Sequence, residues 1–276
     1  MALREKGRDA KSRDADTKRR DADAKTHLFV DPGVPRLPNA AWARLGMPPP
    51  GDASEKGLAM AGAVEARLQE WLGATADDTP GSAAHPASPA GRLRILCTSD
   101  PALVPALIAL ARHPSGRVRC LAADLLSRLY LPFLPHTGTP PQAFNALLRN
   151  LASSRVLEHV GVILSDASTL PHASLSLLCL AQSLLVFHPQ ALASCGGGGK
   201  PALLFLVQAL VVSAGSTADA CAKALADASP EVLAVVAPGE TAAQVVVRSG
   251  EIAAMIRDNA LLSLSQVACL RLLHSA

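Results

Sequence analysis

The stretch Pro101–Leu129 limits the fold most tightly, because it reads as two amphipathic helices on either side of a built-in stop. In its first half Leu103, Leu107 and Leu110 recur at spacings of four and three, and Val104, Ile108 and Ala111 repeat that spacing one position on. Such recurrence puts a wide apolar stripe on one side of an α-helix. Ser99 or Asp100 can cap the helix start, and Pro101 then takes the first helical position, where a missing N–H costs nothing. Pro114 and Gly116 stop the helix and turn the chain. In the second half Val118, Leu121, Leu125 and Leu129 form a stripe, flanked by Ala122 and Leu126. Arg117, Arg119, Asp124 and Arg128 fall on the other side, which is predicted to face solvent. One antiparallel helix hairpin satisfies all of these spacings.

The remaining composition suits helix-on-helix packing. Apolar residues make up 49% of the 276-residue chain but aromatics only 3%, so Leu, Ala and Val must fill the core. A β-sandwich would want more aromatic and β-branched residues. The apolar runs Leu175–Phe187 and Leu203–Val212 are interrupted by Gln182 and Gln208. Both are shorter than the roughly 18–20 residues that span a bilayer, so they are expected to be buried helices, a membrane pair being the alternative.

Pro-Ala-Leu-Val-Pro-Ala-Leu-Ile-Ala-Leu-Ala-Arg-His-Pro-Ser-Gly-Arg-Val-Arg-Cys-Leu-Ala-Ala-Asp-Leu-Leu-Ser-Arg-Leu resembles an armadillo or HEAT repeat: apolar helix, Pro/Gly turn, Val-Arg entry, Ala-Ala, then Leu-Leu-x-x-Leu. The resemblance implies an all-α, armadillo/HEAT-like α-solenoid of antiparallel hairpins, whose concave groove binds another protein or a peptide. Armadillo proteins that bind extended peptides often use a ladder of Asn residues on the inner helices. Asn150, within Leu148-Arg149-Asn150-Leu151-Ala152, matches that ladder position, while Arg128 and Ser265 stand at the corresponding places elsewhere. The candidate partner-binding residues are therefore Asn150 and the arginines Arg117, Arg119 and Arg128, which suit an acidic partner.

Three segments are expected. Residues 1–57 read as a disordered charged tail followed by a Pro/Gly-rich linker or strap containing Trp42. Nine basic and six acidic residues lie within residues 1–26, so the whole formal excess of +3 sits there. The body is neutral, and no nucleic-acid surface is predicted. Lys18-Arg19-Arg20 is a weak nuclear-import signal. Residues 58–91 read as an isolated helix over 58–72 and a mobile loop. Residues 92–276 read as the helical-repeat domain. Within it Leu131–Pro141 is a crossing, and Gln142–Ser153, Val156–Leu164 and His172–Phe187 are helices. Ala202–Ala214 and Thr217–Ala228 form another hairpin, and Glu251–Leu273 closes the chain. No polar helix follows to cap the stack, so a longer parent protein or capping by self-association is expected.

Catalytic motifs are not found. Cys195-Gly-Gly-Gly-Gly-Lys-Pro201 lacks the phosphate-loop hydroxyl, because Pro201 follows the lysine. The eight histidines show no zinc spacing, and His113 and His188 each precede a proline as helix-capping residues. The six cysteines form no Cys-x-x-Cys pair and read as reduced, buried thiols in a cytoplasmic or nuclear protein. The functional expectation is a non-catalytic protein–protein interaction scaffold or adaptor, without cofactor or metal. The alternative is a regulatory helical-repeat segment of a larger enzyme or motor polypeptide.

Overall fold

The computed structural model describes residues 31–49, 55–76, 92–93, 96, 99–129, 149–150, 154–193, 200–237 and 239–275. The charged tail, residues 77–91 of the loop expected over 73–91, the crossing Leu131–Pro141, most of the Gln142–Ser153 helix and the glycine run before Lys200 lie outside these residues. Two units are distinguished, Met1–Asp31 and Pro32–Ala276, and the second holds everything that follows.

Among the described residues the secondary structure is helical, with no strand. The central hairpin forms as its spacing predicts: α3 spans Leu103–Leu110 and α4 spans Gly116–Arg128. Before α3, Asp100 Oδ1 accepts a hydrogen bond from Ala102 N–H at 2.9 Å, and Pro101 lies in this turn rather than in the helix. Leu103, Leu107, Leu110, Leu125 and Leu129 are all fully buried. Each such side chain contributes about 1.5–3 kcal/mol on leaving water.

Two earlier helices belong to the same compact unit. A short helix, α1 (Asn39–Arg44), lies within the stretch that reads as a linker. Trp42 is 2% exposed, and Leu45 and Met47 behind it are also buried. Gly46, at φ +69°, makes the turn between them and lies against the Arg67 guanidinium. Arg67 Nε donates to Leu45 C=O at 3.3 Å and the guanidinium stands 5.0 Å from the Trp71 ring centre. Arg44 pairs with Asp100 at 3.1 Å, fastening α1 to the entry of α3. The next helix, α2, runs from Glu55 to Ala76, longer at both ends than its apolar pattern predicts. It is not isolated: it packs against α4, burying Val64, Leu68 and Trp71.

After the hairpin come α5 (Val156–Ser165) and the long apolar α6 (Pro171–Phe187), with Pro171 in its first turn. A single turn, α7 (Gln190–Ala193), follows. Beyond it are α8 (Lys200–Ala214), α9 (Ala218–Ala226), α10 (Pro230–Val236), α11 (Ala242–Val247) and α12 (Ser249–Ser275). Side chains cap three of them: Thr217 caps α9, Ser229 caps α10, and Thr241 with Gln244 makes a capping box on α11. That box holds Val245-Val246-Val247 in a helix despite its strand-like composition.

The predicted hairpin of Ala202–Ala214 and Thr217–Ala228 is not one. α8 and α9 meet at 93°, with Gly215 and Ser216 at the corner. Two other packings explain the right angle. α8 lies along α5, where Gly161 has no side chain and the Leu206 backbone approaches, while α9 lies along α12. α2, α4 and α6 pack in succession, and α12 then packs on α6, α8 and α9 together.

Candidate functional site

The four residues singled out in the sequence do not converge. Arg117 leaves the N-terminal turn of α4 toward α2, its Nε 3.0 Å from a Glu65 carboxylate oxygen. Arg128, eleven residues and about 16 Å farther along the helix, pairs with Asp124 at 3.0 Å on its own helix. Asn150 is half-buried, and its main-chain carbonyl accepts from the Ser154 hydroxyl at 2.8 Å. The predicted solvent-facing arginines are thus half-buried and engaged within the chain.

Arg119 is placed differently. Its Nη1 donates to His113 C=O at 3.3 Å and its Nη2 to Ser168 C=O at 3.2 Å. One guanidinium therefore bridges the α3–α4 turn and the α5–α6 turn, and both of these acceptors are uncharged. Two clefts open beside it. The larger, about 300 Å³, is lined by Gly116 and Arg119 of α4, Ser168 and Thr169 of the α5–α6 turn, Asp227 after α9, and Val232 of α10. The smaller, about 140 Å³, is lined by Val34, Arg112, Arg119, Val162, Ile163 and Asp166.

Asp166 supplies the counter-charge. Its Oδ1 accepts hydrogen bonds from both the Ser168 N–H and the Ser168 hydroxyl at 2.8 Å. Burial alone would raise the Asp166 pKa, but these bonds and the charges of Arg119 and Arg112 outweigh it and hold the carboxyl below its ordinary value. Arg112, Arg119 and Asp166 thus share the lining of the smaller cleft.

His113 and Cys120 sit behind this site. His113 is buried, and its Nδ1 accepts from the Ser115 N–H at 3.0 Å. The imidazole therefore holds the start of α4 rather than the last carbonyls of α3, contrary to its expected capping role. Its Nε2 is buried without a partner among the described residues. Burial, aided by the Arg119 charge, pushes its pKa below the ordinary value. Burial also pushes the Cys120 thiol up to about 12, so it stays protonated and unreactive. Cys221 is likewise buried, Cys179 is half-buried, and Cys269 is exposed, which departs from the expectation for that thiol. No group of His, Cys, Asp or Glu among the described residues is arranged to hold a metal ion.

Arg112, Asp166 and Asp227 were not selected by sequence pattern. A signal for Asp166 existed: Asp-Ala-Ser is an Asx-turn sequence, and the turn forms. Comparison with protein-family models, curated proteins and solved structures gives no match to this chain.

Proposed function

We propose that this chain is a non-catalytic interaction module of α-solenoid type, armadillo- or HEAT-like, that binds another protein or a peptide. The observation that carries the reading is Arg119, a guanidinium hydrogen-bonded to two neutral carbonyls and standing between two surface clefts. The smaller cleft lies below the range of typical ligand pockets, about 300–1,000 Å³, and the larger stands at its lower end. They suit one or two inserted side chains of a larger partner. With Arg119 hydrogen-bonded to two neutral carbonyls at its wall, the smaller cleft favours a partner that presents a carboxylate. The succession of α2, α4 and α6 supports the solenoid reading, and the return of α12 onto three earlier helices departs from strict nearest-neighbour stacking. Cys120 and Cys221, read as buried free thiols, suit the cytoplasm or nucleus.

The test is affinity capture with the wild type and with Arg112→Glu, comparing recovered proteins and melting curves. A partner retained by the wild type, lost from the variant and released by moderate salt would support the acidic-partner reading. A partner held equally by both proteins, with both melting alike, would remove this cleft from the function.

A further inference from the structure

Pro32, Pro35 and Pro38 recur at every third residue just ahead of α1. A proline fixes its own φ near about −65° and drives the residue before it out of the helical region. Val34, Pro35, Leu37 and Pro38 are therefore all held in, or biased toward, polyproline II, a helix of three residues per turn. The structure agrees. Residues 32–38 have no regular secondary structure, Pro38 stands at φ −66° and ψ 150°, and α1 starts only at Asn39. Gly33, at φ +74°, breaks the run before Val34, so the extended stretch is 34–38.

Within that stretch an apolar residue precedes each proline: Val34-Pro35, then Leu37-Pro38 one turn later. At three residues per turn the pairs form two adjacent ridges, and Arg36 falls on the third. Successive pairs stand about 9 Å apart, three residues at the polyproline II rise. Prolines at this spacing are what an aromatic-lined groove takes when it binds a Pro-x-x-Pro segment. The stretch is open to such a groove: Val34 is 46% exposed, Arg36 and Pro38 are exposed, and Pro35 and Leu37 are half-buried. Trp42, Leu45 and Met47, a few residues on, are at most 4% exposed, which is how apolar side chains here look when the body covers them. The strap touches the body where Val34 joins the lining of the smaller cleft.

We propose that Val34-Pro35-Arg36-Leu37-Pro38 is a docking ligand for an SH3-type domain of another protein. The two apolar–proline pairs fill successive slots between the aromatic side chains of its groove, and Val34 leaves the cleft wall as it enters the first. A segment already held in polyproline II loses little conformational freedom on binding, which lets so short a stretch serve. The same order of residues occurs once more in the chain, at Leu131-Pro132-Phe133-Leu134-Pro135, outside the described residues. The proposal does not rest on the acidic-partner reading of the Arg119 clefts.

An array of purified SH3 domains, probed with the full chain and followed by titration calorimetry of each domain that binds, tests it. At least one domain is expected to bind the wild type, and Pro35→Ala/Pro38→Ala is expected to lose that binding. Because Pro38 borders α1, Val34→Glu keeps the fold question separate. That position is exposed and a carboxylate cannot enter an apolar slot, so binding should be lost while the melting curve stays that of the wild type. Arg112→Glu, the variant that tests the smaller cleft, is expected to bind as the wild type does, so the two readings fail separately. An array in which no domain binds would overturn the proposal. So would binding that survives either strap variant in a folded protein, or binding lost in Arg112→Glu. Loss in Pro132→Ala/Pro135→Ala, with Val34→Glu still bound, would move the ligand to residues 131–135 and likewise overturn it.

Discussion

At the scale of single residues, two side chains of α4 separate structure from surface. Leu125 is fully buried, so Leu125→Asp forces an unpaired carboxylate into the core, at a cost of several kcal/mol. Since domains are stable by only about 5–15 kcal/mol, that variant should be unfolded or severely lowered in melting temperature. Arg119 appears harmless to change when only helical spacing is known. Its two hydrogen bonds across turns reverse that view, because Arg119→Glu leaves the His113 and Ser168 carbonyls facing a carboxylate near Asp166. The melting temperature should fall, while Arg117→Ala, which gives up one partly exposed pair, should change stability by about 1 kcal/mol or less. Equal melting of Arg119→Glu and wild type would show that the bridge contributes nothing. His113 gives a second test. Its Nδ1 accepts the Ser115 N–H only while neutral, and its folded pKa lies below the ordinary 6.5. A lowered pKa means the stabilisation is present above 6.5 and is lost as pH falls through the folded value. Urea midpoints should therefore drop as pH falls below about 6.5. Part of that slope should vanish in His113→Asn, whose amide oxygen can accept the same N–H; an unaltered slope would assign it to His172 and His188, whose values are also lowered by burial.

At the scale of elements, α3, α4, α5, α6 and α12 were legible because leucines recur at helical spacing and each helix has recognisable ends. The orientation of α8 against α9 was not legible. A Gly-Ser corner states that the chain turns but not by how much, and the angle comes from what each helix packs against. Gly161 is the clearest determinant. A Cβ built there would stand 3.3 Å from Phe205 Cδ1 and 3.4 Å from Leu206 Cα, so α5 approaches α8 about as closely as two backbones allow. Gly161→Ala should be nearly neutral, the gain in helix propensity of roughly 1 kcal/mol offsetting a small shift of Phe205. Gly161→Leu cannot be absorbed this way, since the Leu206 backbone blocks it. It should separate the two helices and lower the melting temperature well beyond the Ala variant. Near-identical melting of the two variants would mean that α5 and α8 are loosely apposed. The candidate site was hidden for a related reason. Arg112, Asp166 and Asp227 come from three separate turns and Arg119 from α4, and no local spacing announces that packing will bring them near one another.

At the scale of the whole molecule, the question is where the folded unit begins. Composition puts the boundary near Arg92, because Pro, Gly and Ser crowd the residues before it. Packing puts it near Pro32. α1 was invisible to periodicity because it is only six residues long and begins next to a proline, yet it and the turn after it deliver Trp42, Leu45 and Met47 to the core. α2 adds Val64, Leu68 and Trp71, all at most 5% exposed, where it packs on α4. At about 1.5–3 kcal/mol for each large apolar side chain buried, these six together match or exceed the total stability of an ordinary domain, about 5–15 kcal/mol. A chain starting at Arg92 would also leave the α4 surface beneath α2 open to water, and Asp100 without its Arg44 partner. Such a fragment should lack a cooperative melting transition and bind a hydrophobic dye, whereas a chain starting at Pro32 should melt within a degree or two of the full protein. Trp42→Ala in the full chain supplies the intermediate case, with an expected loss of about 3–5 kcal/mol. If the fragment from Arg92 melts cooperatively at the full-length temperature, α1 and α2 are ornaments on a self-sufficient repeat domain, and the boundary drawn from composition is the correct one.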